Sequence, residues 1–247
     1  MRFTVGWLYP DLMNIYGDRG NILTLIKRAE WRDFDARVVD LGRGSVDHMD
    51  QVDVFFFGGG QDREQALVYE DLLEHKRDPL ERAVAEGAQV LAVCGGYQLL
   101  GHYYQTAEGD RFPGIGMIDV RTEAGRKRFI GDVVVETAIA DLAPRTLVGF
   151  ENHSGRTFLG AKARPLGKVL LGHGNNGSDG GEGCLQGGVV GTYLHGSQLP
   201  KNPHLADYLI RASLRRRGVD DLSPLDDAAE LAAHERILLR GPRPPSS

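Results

Sequence analysis

The sequence predicts an α/β fold: a central, mostly parallel sheet flanked by helices, with additional antiparallel strands in the second half. Three observations carry that reading. Strand-like and helix-like segments alternate through the first part of the chain, the pattern of βαβ units. Two of the strands, "VDVFFFGGG" (52–60) and "QVLAVC" (89–94), are apolar without alternation, as strands covered on both faces are. After Gly101 the texture changes to short apolar stretches separated by turn residues.

In chain order, "RFTVGWLY" (2–9) alternates and is rich in β-formers, so it opens the sheet. "YGDRGNILTLIKRAEWRD" follows with Ile22, Leu25, Ile26 and Ala29 at helical spacing, and "ARVVDL" (36–41) is a second strand. Residues 61–86 are helical in pattern and split by Pro79. "GGYQLLGHYY" starts the helix after the 89–94 strand. The later strands are "GMIDV", "RFIGDVVVETAI", "TLVGFENH", "KVLLG" and "GGVVGTYLHG". "GHGNNGSDGGEG" (172–183) is too rich in glycine for regular structure and is expected to be a mobile loop. "PHLADYLIRASLRRRG" (203–218) is an amphipathic helix. "SPLDDAAELAAHERILLR" is another, with Ser223 as N-cap and Pro224 at the first helical position. The whole reads as one domain over 1–240, with a helical C-terminal extension from about 203 and a disordered tail at 241–247.

Composition removes several function classes. With 29 basic against 34 acidic residues the net charge is −5, so no broad basic face for nucleic acid is expected. No apolar stretch approaches the roughly 20 residues of a membrane span. The start, "MRFTVGWLYP", lacks the basic and apolar regions of a signal peptide. Two cysteines ninety residues apart make no disulfide framework. The expectation is a cytoplasmic protein, in which the sequons at Asn152 and Asn176 are chance matches.

The chemistry centres on Cys94, which ends a buried strand and is followed by Gly95 and Gly96. A strand that ends in a nucleophile and turns directly into a helix is a nucleophile elbow, and the tight turn demands small neighbours. The helix N-terminus there favours thiolate over thiol. A buried structural cysteine is the plainer alternative. A nucleophile also needs a base and an oxyanion site. His195, in "GTYLHG", ends another apolar strand, at the sheet edge where active sites of parallel sheets collect. The glycines of "FFFGGGQD" end the strand before the elbow, so their N–H groups and that of Gly95 are candidates for an oxyanion site. The same run fits neither dinucleotide nor P-loop spacing. His102 and His153 read as surface or supporting groups.

Strand–Cys–Gly–Gly–Tyr–Gln, a glycine turn one strand earlier and a late strand–His together resemble the class I glutamine amidotransferases. "VCGGYQLLG" and "YLHG…NP" resemble the cobyric-acid-synthase-like branch. "LYPDLMNIYGDRGN", "GFENHSGRT" (149–157) and the 172–183 loop narrow the likeness to glutaminase subunits that pair with a MurT-like Mur ligase. The resemblance runs from residue 2 to about 215. It implies the class I amidotransferase fold and hydrolysis of L-glutamine to glutamate and ammonia. It implies a heterodimer whose ligase uses ATP and Mg to amidate D-glutamate of lipid II to D-isoglutamine, with no cofactor or metal in this chain. Cys94 would form the glutamyl thioester and His195 would shuttle the proton. Gly60 and Gly95 would bind the oxyanion. Arg128, in "GRKRFIGD", would hold the α-carboxylate of glutamine. Gln98 would contact the substrate or support the elbow, and Cys184 matches no catalytic position.

One departure stands out. The wider class carries a glutamate two positions after the histidine, where this chain has Ser197. Asp18, Asp62 and Glu151 lie in segments that approach the strand ends, and the resemblance suggests a carboxylate supplied by the ligase. Two rival readings remain at this point. One is an amidotransferase acting on a corrinoid, whose enzymes usually carry an ATP-binding domain on the same chain. The other is a non-enzymatic module with a reactive cysteine.

Overall fold

The computed structural model describes residues 1–15, 17–60 and 62–240, without the side chains of Asp62, Arg63 and Ala66; the expected tail lies outside them. The first sheet is assembled from β1 (Arg2–Leu8), β2 (Asp35–Leu41), β3 (Val54–Phe57) and β4 (Gln89–Val93), between which lie α1 (Arg19–Glu30), α2 (Asp62–Asp71) and α3 (Arg77–Ala85). Every residue of β3 and of β4 is buried, which is why these two read as unbroken apolar runs. Helix α1 packs on β1 and β2.

Between α2 and α3 the chain makes a π-helical turn, Leu72–Lys76. The expected break at Pro79 is therefore taken up one turn earlier. A proline ring presses on the carbonyl four residues before it, here that of His75, and the widened turn accommodates it.

After Cys94 comes α4 (Gly95–Leu100), which is shorter than the sequence suggests, because Tyr103 already starts a strand. The second sheet holds β5 (Tyr103–Gln105), β6 (Arg111–Pro113), β7 (Val120–Thr137), β8 (Thr146–Leu159), β9 (Gly167–Leu171) and β10 (Gly181–Glu182). "RFIGDVVVETAI" is thus only the second half of a long strand, and β7 and β8 form an antiparallel hairpin with a bulge between Ala124 and Phe129. The glycine-rich loop is not a loose one. Asn175 is buried and bonds both the N–H and the carbonyl of Gly183, and Asn176 donates to the Thr157 carbonyl.

The chain then returns to the first sheet with β11 (Cys184–Gln186) and β12 (Val189–Thr192). The order there is β11-β12-β4-β3-β1-β2, parallel throughout except for β11 against β12. The short α5 (Gln198–Lys201) leads into α6 (Pro203–Leu214), which packs on α1, β3 and β4. The last helix, α7 (Ala228–Leu238), starts later than Ser223 and Pro224 imply, with Asp227 at its N-cap position. Tertiary contacts override the local signal: the Ser223 carbonyl accepts from Arg32 and the Asp227 carboxylate pairs with buried Arg28, and the intervening chain is not helical. No helix among the described residues is long and apolar enough to cross a membrane.

Candidate active site

Cys94 sits at the C-terminal end of the buried strand β4 with φ +50° and ψ −108°. That region costs a residue with a Cβ about 1–3 kcal/mol, and such strain persists only where the surroundings enforce it. Here they do. The Cys94 N–H donates to the Thr192 carbonyl of β12 at 2.9 Å, and the Gly96 N–H donates to the Gly58 carbonyl at 3.1 Å. A Cβ at Gly96 would stand 2.6 Å from the Phe57 carbonyl oxygen, so the elbow can press against the end of β3 only with glycine there.

The glycine turn after β3 lies directly beside the elbow. A Cβ built on Gly95 would be 3.0 Å from the Gly60 nitrogen, and one on Gly59 would be 3.6 Å from the Cys94 Cβ. The two proposed oxyanion donors are therefore neighbours, next to the candidate nucleophile. Neither N–H is used in a turn or loop hydrogen bond among the described residues.

His195 arrives from the adjacent strand. β12 runs parallel to β4 with Thr192 opposite Val93, so Cys94 and His195 both leave the same edge of the sheet. The His195 N–H donates to the Phe150 carbonyl of β8 at 2.8 Å, which fixes the segment between the two sheets. The imidazole is 1% exposed. Burial, helped by the charge of Arg128, pushes its pKa down to about 4. At neutral pH it is an uncharged base, able to take a thiol proton.

Arg128 is exposed on β7, beside the bulge, and its guanidinium donates to the carbonyl and the side-chain oxygen of Asn152 at 3.0 and 2.8 Å. Its charge is the lesser of the two causes that lower the His195 pKa. Gln98 is different. It is buried, its Oε1 accepts from Gln65 at 3.1 Å and its Nε2 donates to the Tyr193 hydroxyl at 3.0 Å. Both ends of its amide are engaged inside the protein, which fits the supporting role of the two considered for it. The chain of bonds continues from Tyr193 to Thr157 and Thr122 in the second sheet.

Sequence reasoning missed two members of this framework and understated a third. Tyr193 stacks on His153 at 3.6 Å between ring centroids, and His153 is buried with its pKa lowered to about 3, chiefly by desolvation. Gln65 donates to the Gly60 carbonyl at 3.3 Å as well as to Gln98. Only Tyr193, two residues before His195, carried a positional hint. His102, by contrast, is exposed and paired with Asp119. Cys184 is buried on β11, and burial raises its thiol to about 12, which leaves it protonated and inert at neutral pH.

Two of the three carboxylates considered as partners of His195 make bonds elsewhere. Asp18 Oδ2 accepts from the Gly59 N–H at 2.8 Å. Glu151 accepts the N–H groups of His173 and Gly174 and pairs with the His173 ring. The Asp62 side chain lies outside the described residues. Ser197, in the place of the class glutamate, has φ +46° and donates its hydroxyl to the Gly17 carbonyl. Its Cβ lies where a side chain on Gly20 would begin, 2.7 Å from an added Cβ.

Comparison with known proteins places this arrangement in context. A family described as the CobB/CobQ-like glutamine amidotransferase domain matches residues 4–203. The chain is 39% identical over 241 residues to the "Lipid II isoglutaminyl synthase (glutamine-hydrolyzing) subunit GatD" of Staphylococcus aureus (strain N315), covering 97% of this chain and 96% of that one. It is 39% identical over 238 residues to the protein of the same name from Streptococcus pneumoniae (strain ATCC BAA-255 / R6), covering 96% of this chain and 87% of that one. Among solved structures, PurLQS from Thermotoga maritima superposes with a TM-score of 0.56 at 18% identity, over 96% of this chain and 100% of that chain. At that identity the likeness speaks for the fold alone.

Proposed function

The chain belongs to the CobB/CobQ-like glutamine amidotransferase family, in its GatD branch, and from that premise we infer that it is the glutamine-hydrolysing subunit of a lipid II isoglutaminyl synthase. It hydrolyses L-glutamine and hands the ammonia to a MurT-type ligase, which amidates D-glutamate of lipid II. ATP and Mg belong to that ligase, and a cytoplasmic location goes with the assignment. The observation that carries the chemistry is the elbow: a cysteine forced to φ +50° beside the N–H groups of Gly60 and Gly95.

In this reading His195 takes the Cys94 proton as sulfur attacks the carboxamide carbon of glutamine. The carbonyl oxygen gains charge and is met by the Gly60 and Gly95 N–H groups. Collapse of the tetrahedral intermediate expels ammonia with the proton from His195, leaving a glutamyl thioester. Water, deprotonated by His195, then releases glutamate and the thiol. A glutaminase assay on the purified chain, with a pull-down for the ligase, tests the assignment. A corrinoid-modifying partner in that pull-down would overturn it.

Arg128 pairs with the α-carboxylate of glutamine through its planar fork. Arg128→Ala should raise KM roughly ten- to a hundredfold, in line with the ~1.5–3 kcal/mol of a hydrogen bond to a charged group. Arg128→Lys should recover only part of that, because an ammonium cannot reproduce the fork. An unchanged KM in Arg128→Ala would remove the residue from the substrate site.

Asp18 Oδ2 and Glu151 bond elsewhere, and in this reading the carboxylate that orients His195 comes from the ligase. Since His195 is 1% exposed in the isolated chain, docking must shift what covers the ring. Glutaminase kcat should therefore be low for the chain alone and higher in the complex, and should fall again when the docking aspartate of the ligase is changed to alanine. Equal kcat in all three preparations would point to a working Cys–His dyad.

A further inference from the structure

Residues 13–15 and 17–21 are used by nothing in the mechanism above, yet they touch both arms of the site. On one side they lie across the glycine turn. A Cβ at Gly58 would collide with the Met13 carbonyl oxygen and stand 2.7 Å from Asp18 Oδ2, and a Cβ at Gly59 would stand 2.9 Å from the Ile15 side chain. On the other side they meet the chain just beyond His195: the Gly17 carbonyl accepts the Ser197 hydroxyl, and Asn21 Oδ1 accepts the Leu199 N–H at 3.0 Å. The segment is itself anchored at Tyr9, whose carbonyl accepts the N–H groups of Leu12 and Met13 and whose hydroxyl donates to Asp71 at 2.8 Å.

Asp18 is the polar contact between this segment and the glycine turn. It is wholly buried, and it stands at the N-cap position of α1 without making a side-chain cap bond. Its Oδ2 is directed instead to the Gly59 N–H, 41 residues away in sequence, at 2.8 Å. A buried carboxyl group is costly to place without a counter-charge, and this one faces the backbone N–H groups of Gly59 and Ile15 instead. We infer that Asp18 is a positioning residue for glutamine hydrolysis, holding the Gly59 N–H so that the next peptide, that of Gly60, is aimed at the oxygen of the carbonyl attacked by Cys94. The inference rests on Cys94 being the glutaminase nucleophile. Burial also raises the Asp18 carboxyl to about 7, so an amide at this position is close in charge to the native group near neutral pH.

The test uses the chain co-expressed with its ligase and compares Asp18→Ala, Asp18→Ser and Asp18→Asn. Serine keeps an oxygen at the start of α1 but does not reach Gly59, so it serves if alanine compromises folding. Alanine and serine should lower kcat roughly ten- to a hundredfold with KM for glutamine changed less than about threefold, because aim at the oxyanion matters in the transition state. Inactivation by diazo-oxonorleucine, which presents a carbonyl to Cys94, should slow in step. Alkylation by iodoacetamide, which forms no oxyanion, should stay within about twofold of wild type. Asparagine keeps an acceptor oxygen and should retain kcat within about threefold. Wild-type kcat in Asp18→Ser, or iodoacetamide alkylation that falls together with kcat, would overturn the inference. If the wild-type complex neither hydrolyses glutamine nor takes diazo-oxonorleucine on Cys94, the reading of the site fails, and the inference with it.

Discussion

Changing Cys94 to alanine should abolish glutamine hydrolysis, by on the order of a thousandfold or more, while the protein stays folded. Only the attacking atom is removed, and a covalent mechanism has no substitute for it. The fold should hold because Cys94 is a small side chain at the end of β4 and its backbone bonds do not involve sulfur. Amidation driven by added ammonium should survive in the complex, since that step belongs to the ligase. The measurement is glutamate release by the purified variant, with circular dichroism as the check on folding. Substantial glutaminase activity in a folded Cys94→Ala protein would end the thioester mechanism. Labelling of Cys184 in place of Cys94 by diazo-oxonorleucine would do the same for the site assignment.

His195→Ala should lose nearly as much activity as the cysteine variant, because residues that act as a unit are not additive. The double variant should then be little worse than either single one. The pH profile gives an independent readout. Burial and the Arg128 charge depress the His195 pKa to about 4, so the neutral, proton-accepting form persists well below the 6.5 of a free imidazole. On the acid side, kcat/KM of the isolated chain should accordingly hold until the pH nears 4. Removing the Arg128 charge relieves the lesser of the two causes, so the acid limb of Arg128→Ala should move upward. An acid limb at 6.5 in the wild-type chain would mean that the group in control is a solvated one.

Much of this site could be located from local signals. Cys94 announces itself through its neighbours, an apolar run before and two glycines after, because the elbow is built from adjacent residues. His195 is found by the same logic of strand ends. Strands β3 and β4 read correctly since burial on both faces leaves no alternation to misjudge. Other parts depend on contacts between residues far apart in the chain. The hairpin of β7 and β8 is obscured by its bulge and by the exposed residues Arg126, Lys127 and Arg128, which break the apolar pattern in the middle of a long strand. The start of α7 follows Arg28 and Arg32 rather than the capping residues Ser223 and Pro224. The bonds of Gln98 to Gln65 and Tyr193, at either end of its amide, join residues 33 and 95 positions away. Asp18 stands in the sequence only as one of three candidate carboxylates, and its bond to Gly59 appears once the fold brings the two together.

Ser197 bears on how such a subunit could change over evolutionary time. Its small side chain is wedged between the Gly17 carbonyl and the bare backbone of Gly20, at a left-handed φ of +46°. A glutamate there has no hydroxyl, and in the same rotamer it would put a methylene where the hydroxyl now bonds. Regaining the acid of the wider class by one substitution would give up the Ser197–Gly17 bond to the segment that also carries Asp18. The route back to a self-contained triad therefore runs through the loss of a contact beside the site. A lineage that has taken this turn becomes dependent on whatever completes its histidine from outside, through the cost of that contact rather than through any advantage renewed by selection.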